Sequence, residues 1–368
     1  MRGWRSSDIP LREWVAAGCF ALLLILSIKA DDFPRPITDE RAQLSYALQL
    51  RDAGFRWLSP TELRLYDMAS RQPVDAPNYL NHPPTAYYLP AALLALWPAM
   101  PVTALRGVGA LVGMAAFLAY IAVGRQLPMS RAASMVYLAF PCLAYLPSVA
   151  ATVNIDAAPM LGGCLLALGA LRWQRWLLVA GWLLMSVKLN SLLLAAFFMA
   201  GFCAFHVPPV RWRQLWPLAA AGLLSALPYL WLYAQTGSPA PLTPGQAQLL
   251  QALAAQQTPM HWPFLTYAWH ALLAFPRGHI GSGVYLHFYQ LLFGLLGLAM
   301  LAALRWRRSA FGLATVGAFL AVLLIQLVYC YARYRQFGWF GDYYPRYYIG
   351  LMPGFGYLLA LPFTARGT

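Results

Sequence analysis

The chain has 368 residues, 60% hydrophobic and 10% charged, with a mean hydropathy of +0.54, and its repeated apolar runs of roughly 13 to 23 residues exclude a soluble globular protein. The net charge of +14 is dispersed among short connections rather than gathered into one patch, so it reads as membrane topology and not as nucleic-acid binding. Lipid-embedded backbone must be satisfied within helices or a closed barrel. No alternating strands of about ten residues are visible, which makes the expected fold class an all-α polytopic membrane protein of about ten transmembrane helices.

Arg2, Arg5 and Arg12 precede the first apolar stretch, residues 13 to 30. A basic start before an apolar core also describes a signal peptide, but Ser27-Ile28-Lys29-Ala30 lacks a small-x-small cleavage pattern, so a retained span is expected. The long first loop, residues 31 to 105, is expected to carry an amphipathic helix over residues 42 to 53. Leu44, Ala47, Leu48 and Arg51 recur there at helical spacing, and such a helix would lie on the membrane surface with Thr38 or Asp39 as its cap. Thr85 to Met100 is apolar but short, and Pro90 and Pro98 interrupt or end it. If it crossed fully, Arg125 and Arg131 would move outside and Asp156 inside, so it reads as a second interfacial helix.

Further spans are expected near residues 106 to 124, 132 to 150, 156 to 171, 175 to 187, 189 to 206, 215 to 233, 284 to 304, 309 to 331 and 347 to 363. Arg125 and Arg131, Arg172 and Arg175, Arg211 and Arg213, and Arg305, Arg307 and Arg308 occupy short connections between them. Assigning these to the cytoplasm puts both termini inside. Of the twelve acids, Asp8 and Glu13 alone then fall at the cytoplasmic side, which makes the outer face the place to look for chemistry. Residues 234 to 283 form a second long outer loop with Pro239, Pro241, Pro244 and Pro259 followed by His261, Trp262, Tyr267, Trp269 and His270. It reads either as a lid above a lipid-facing groove or as an interfacial aromatic belt. The five cysteines fall inside expected spans and read as small core residues. No repeat of fixed period divides the chain, so residues 1 to 368 are taken as a single membrane domain.

Adjacent carboxylates, Asp39 and Glu40, open the first loop beyond the first span. A transfer in which an acceptor hydroxyl or amine displaces a phosphate needs a base and positive charge for the departing phosphate. Asp39 is the candidate base, with Glu40 orienting or substituting for it; the competing reading makes Asp39 a helix cap with Glu40 in the first turn. Asp156, where an outer loop enters a span, calls for a partner or a function, or else is an N-cap together with Asn154. Arg346, among Tyr343, Tyr344, Tyr347 and Tyr348, can grip phosphate oxygens in a fork or anchor the interface. Lys188 is the sole charge between Met185 and Ala200 and is the second phosphate candidate. Arg277, Arg333 and Arg335 are the other outward cations near spans. His82, in the rigid turn His82-Pro83-Pro84, can touch substrate or simply serve the turn, and Tyr87 and Tyr88 can stack on sugar or anchor the interface. His261, His270, His279 and His287 match no metal-ligand spacing. The chain lacks Gly-x-Gly-x-x-Gly, a Walker loop, His-Glu-x-x-His and Asp-x-Asp, so nucleotide-linked chemistry has no support.

Taken in order, Pro36-Ile37-Thr38-Asp39-Glu40, His82-Pro83-Pro84-Thr85-Ala86-Tyr87-Tyr88, Asn154-Ile155-Asp156 and Pro345-Arg346-Tyr347-Tyr348 through Pro353 resemble the integral membrane GT-C glycosyltransferases, especially protein O-mannosyltransferases and aminoarabinose transferases. The resemblance implies that the first-loop acid, Asp39, is the catalytic base with Glu40 supporting or substituting for it, and that Asp156 binds the acceptor or helps position the first loop; Arg346, Lys188, His82 and Tyr347 are the substrate- or phosphate-binding candidates on their own chemistry. It also implies a bacterial inner-membrane enzyme with a periplasmic active site, taking a sugar from a polyprenyl phosphate carrier to an envelope glycan, lipid or protein acceptor. No cofactor is expected; Asp39 with Glu40 could bind a divalent cation, but positive side chains can neutralise the phosphate instead, so a metal site is not favoured. Two rivals stay open: a transporter or flippase for a lipid-linked glycan, and a noncatalytic component of a glycan assembly complex.

Overall fold

A computed structural model describes residues 10–28, 39–143, 146–206, 212–257, 261–275, 284–306, 309–341 and 345–364. The chain opens with α1 (Leu11–Ser27) and then builds a compact unit from the first loop: α2 (Glu40–Asp52), a hairpin of β1 (Arg64–Tyr66) and β2 (Pro73–Pro77), and α3 (Tyr88–Leu96). The bundle follows as α4 (Val102–Gly124), α5 (Arg131–Leu143), the short α6 (Leu146–Ala150), α7 (Ala157–Arg172), α8 (Arg175–Met185), α9 (Leu189–Phe205) and α10 (Trp212–Thr236). The second long loop contributes α11 (Pro244–Ala254) and α12 (Phe264–Ala274), before α13 (Val284–Trp306), α14 (Ala310–Phe337), a 3₁₀ segment (Pro345–Leu351) and α15 (Met352–Ala360).

Among the described residues three helices are long and apolar enough to cross a membrane: α4 with 23 residues, the Leu215–Thr236 part of α10 with 22, and α14 with 28. At 1.5 Å per residue each exceeds the roughly 30 Å of hydrocarbon. The protein is thus a mostly helical membrane protein. The helices that frame the centre of the bundle are shorter. α7 has 16 residues and α8 has 11, about 24 and 17 Å of helix.

The short pair packs as a hairpin through small residues. A Cβ on Gly162 would come within 2.9 Å of the Gly181 carbonyl oxygen, and one on Gly181 within 2.4 Å of the Leu166 nitrogen; small residues permit such backbone approach between membrane helices. Gly163 on the adjoining face is closed by the chain itself, since a Cβ there would lie 1.8 Å from the carbonyl oxygen of Gly350. That contact clamps the 3₁₀ segment against α7, and with it Arg346 against Asp156.

The first loop departs from the expected surface arrangement. α2 does not float as an amphipathic helix, because Ala42, Gln43, Leu44, Ser45, Tyr46, Ala47, Leu48 and Leu50 are all buried. They pack with Leu58, Leu63, Tyr66, Tyr87 and Leu94, and with Val102, Leu105, Val153 and Ile155 of the bundle, into a second apolar core. The polar members of α2 are satisfied inside it: Ser45 donates to the Arg41 carbonyl at 2.7 Å and accepts from the Tyr66 amide at 2.9 Å. The hairpin is a second departure from an all-helical chain, with Arg64 opposite Pro77 and Tyr66 opposite Pro73. Its turn is tied by Asp67, which accepts from the Ser70 amide and hydroxyl, both at 2.8 Å. α3 has nine residues, too few to cross. It ends before Trp97-Pro98, as the residue preceding a proline disfavours helix; Leu89, Leu96 and Trp97 stay exposed.

Candidate active site

Asp39 stands at the N-cap position of α2 but in the left-handed region, at φ 58° and ψ 24°, and its side chain makes no capping bond. For a residue other than glycine this conformation costs on the order of 1 to 3 kcal/mol. What it achieves is direction. The Asp39 carbonyl accepts from the Gln43 amide at 2.9 Å, while the carboxylate turns to a cavity and takes Arg346 Nη2 on Oδ2 at 2.5 Å and the Tyr79 hydroxyl on Oδ1 at 3.1 Å. Burial, and then the Asp39 charge, raise the Tyr79 pKa well above that of a free phenol.

Glu40 faces the other way. Its side chain is wholly buried and held by the Arg106 fork, Nε on Oε1 at 2.9 Å and Nη2 on Oε2 at 2.7 Å, while Oε1 also accepts the Val153 amide at 2.8 Å. One residue thereby ties the start of α2 to α4 and to the loop that carries Asp156.

Asp156 occupies the N-cap position of α7 yet does not cap it; Asn154 Oδ1 instead accepts the Asp156 amide at 2.9 Å. The Asp156 carboxylate is buried. Oδ1 bonds Lys188 Nζ, and Oδ2 lies 3.9 Å from Arg346 Nε. Lys188, Asp156, Arg346 and Asp39 thus form a row of alternating sign. Tyr347 lies beneath it, its ring centroid 5.9 Å from Lys188 Nζ and 5.7 Å from Arg346 Cζ, and Asn190 holds the Tyr347 carbonyl at 2.9 Å. His82 faces the same row. Burial is the main cause, with Lys188 adding to it, Asp156 opposing and Arg346 contributing less, that holds its pKa down at about 3.

Asp39, Lys188, Arg346 and Tyr347 line a cavity of about 310 Å³ bounded by residues 79 to 82, the start of α9, α11 and α14, with Asp156 buried behind them. The lining also includes the apolar side chains of Leu193, Leu249, Leu250, Leu253, Val322 and Ile325. Leu249 and Ile325 are exposed on the protein surface, so charged and apolar side chains meet in one groove.

The fold has solved counterparts. ArnT from Cupriavidus metallidurans bound to undecaprenyl phosphate superposes with a TM-score of 0.54 at 14% identity, covering 95% of this chain and 59% of that one. Its apo state gives 0.53 at 15% identity, covering 95% and 58%. The apo form of the Archaeoglobus fulgidus oligosaccharyltransferase gives 0.50 at 14% identity, covering 96% and 50%. The chain has the GT-C fold. It spans between half and three fifths of the length of these proteins. No family model and no curated protein matches its sequence.

Within this GT-C fold the residues singled out in the sequence divide into two sets. Asp39, Asp156, Lys188, Arg346, His82 and Tyr347 come together, whereas Glu40 lies behind the wall. Arg346 is not an interfacial anchor, since its side chain is 10% exposed and sits among carboxylates. Tyr348 is buried and donates to Gln326 Oε1 at 2.6 Å. Tyr87 is also buried, donating to Gln43 at 2.7 Å. His270 stacks on Trp262 with centroids 4.2 Å apart, away from the cavity. Thr38, Arg277, His279, Tyr343, Tyr344 and the side chain of His287 lie outside the described residues.

Sequence reasoning passed over Arg106, Tyr79 and the amide side chains of the cavity. Arg106 carried a usable signal, because a charge one turn inside an apolar span requires a buried partner. Tyr79 and the amides carried none that distinguishes them from other loop residues.

Proposed function

We propose that this protein is a membrane glycosyltransferase that takes a sugar from a polyprenyl phosphate and passes it to a hydroxyl or amine of an envelope glycan, lipid or protein. The observation that carries the reading is the meeting of Asp39, Arg346 and Lys188 in the lining of a groove that also holds a set of leucine, valine and isoleucine side chains. ArnT, which shares the fold, is a protein solved with undecaprenyl phosphate bound.

In the proposed reaction the acceptor heteroatom bonds to the anomeric carbon as the bond from that carbon to the phosphate oxygen breaks. Asp39 takes the acceptor proton. The leaving phosphate gains one negative charge, and Arg346 and Lys188 neutralise it in place, so no reorganisation is needed as the charge develops. Assigning that charge to two side chains leaves no step that calls for a metal ion or other cofactor. Arg346 is placed to bridge the Asp39 carboxylate and the departing phosphate, so the base keeps its partner while the donor is bound. Glu40, with Arg106, is assigned to positioning rather than catalysis, and Asp156 to holding Lys188 and Arg346 apart at the wall.

The same reading treats the chain as a single unit of about ten spans in a bacterial inner membrane with both termini cytoplasmic. Residues 31 to 105 and 234 to 283 then face the periplasm. Clustering of the pairs made by Asp39, Glu40 and Asp156 with Arg346, Arg106 and Lys188 at one end of the helices favours an enzyme over a flippase, whose polar groups would line the middle of the spans. Binding of undecaprenyl phosphate to the purified protein in lipid nanodiscs tests the phosphate grip. Arg346→Lys keeps the charge but loses the fork and is expected to weaken binding about tenfold; unchanged affinity would remove Arg346 from the phosphate site.

A further inference from the structure

The transferred group can be narrowed from the lining of the cavity, on the footing of the glycosyl-transfer reading above. Among the described residues that line it, the charged ones are Asp39, Lys188 and Arg346. All are already matched. Asp39 gives one oxygen to Arg346 and the other to Tyr79, and Lys188 is bonded to Asp156. A sugar bearing an ammonium group would meet two cations and no carboxylate without a partner. A sugar bearing a carboxylate would compete with the phosphate for those same cations. Either would bury a charge at a cost that an uncharged sugar avoids.

What the wall offers instead is amides. Asn81 donates its Nδ2 to the Pro241 carbonyl at 3.2 Å and Asn190 donates its Nδ2 to the Tyr347 carbonyl at 2.9 Å, which leaves each Oδ1 as an acceptor for a ligand. Gln43 accepts the Tyr87 hydroxyl on Oε1 at 2.7 Å, which leaves its NH₂ as a donor. Gln246 Oε1 is buried with no hydrogen-bond partner among the described residues, an orphan that costs free energy until a donor reaches it. Acceptors and a donor fixed at one end by the protein suit hydroxyl groups, each of which both donates and accepts.

We infer that the donor sugar is an uncharged polyhydroxyl pentose or hexose, read by Gln43, Asn81, Asn190 and Gln246, and that aminosugars and uronic acids are rejected. The test measures affinities in nanodiscs for undecaprenyl phosphate alone and for the same carrier bearing arabinose, glucose, 4-amino-4-deoxyarabinose or galacturonic acid. The two neutral donors are expected to bind at least about tenfold more tightly than the two charged ones. Gln246→Glu, which sets a carboxylate in the sugar wall, is expected to move the preference toward the aminosugar by a similar factor. Equal affinity across the panel, or preference for a charged sugar, with the bare carrier still bound, overturns this inference and leaves the glycosyl-transfer reading in place. Failure of the bare carrier to bind overturns both.

Discussion

Asp39 carries two readings in the sequence, cap or base, and its backbone speaks against the cap. A capping aspartate adopts an extended conformation and turns its oxygen back to the helix amides, whereas Asp39 is left-handed and points at Arg346. Lys188 answers a similar question. Removing it would leave the buried Asp156 carboxylate without its bonded cation, so Lys188→Met is expected to destabilise the protein by about 3–5 kcal/mol. The double variant Lys188→Met/Asp156→Leu should recover much of that loss, as read by thermal unfolding in nanodiscs. A double variant no more stable than the single one would mean the pair is not coupled. His82 gives a prediction in pH. Its folded pKa of about 3 lies below the roughly 6.5 of an unfolded histidine, so the unfolded chain binds more protons between those values. The stabilisation from a neutral His82 is complete above about pH 6.5 and is lost as pH falls toward 3. An NMR titration of His82 should show no protonation between pH 5 and 8, and a midpoint inside that range would refute the half-buried, cation-facing position.

At the scale of elements, the apolar periodicity of the chain located the helices well, because hydrophobic burial and helix length act locally along the sequence. α4 and α14 lie where hydropathy puts them, and α3 contains Pro90 and stops before Trp97-Pro98. What the pattern could not carry was partnership across the chain. The direction of Glu40 depends on Arg106, which is 66 positions away in sequence, and the left-handed turn at Asp39 depends on an arginine 307 positions away. The hairpin at residues 64 to 77 escaped notice because its strands are three and five residues long and proline sits in one of them. Small residues were similarly silent until packed. Gly163 shows this most directly: Gly163→Ala would drive a methyl group into the Gly350 carbonyl and push the 3₁₀ segment off α7. We expect a loss of about 1–3 kcal/mol or more, together with weaker undecaprenyl phosphate binding because Arg346 moves with the segment. Gly317, where a Cβ meets nothing within 4 Å, provides the control, and equal behaviour of the two alanine variants would contradict the clamp.

Across the whole molecule, the bundle and the first-loop unit each have an apolar core, and the charged row lies where they meet. The Glu40 and Arg106 pair, the Val153 amide and the clamp at Gly163 bring α2, α4, α7 and the last 3₁₀ segment to one place, so that groups distant in sequence share a cavity wall. Under the proposed function, binding of the carrier falls to Arg346 and Lys188 and proton removal to Asp39. The central claim is therefore tested by release of undecaprenyl phosphate from a sugar-bearing carrier, measured for purified protein in nanodiscs with a panel of envelope acceptors and compared between wild type and Asp39→Asn. The account predicts turnover by wild type and a loss of about 10²- to 10⁴-fold in Asp39→Asn, with carrier binding and thermal stability retained. Equal turnover by the two proteins would contradict it.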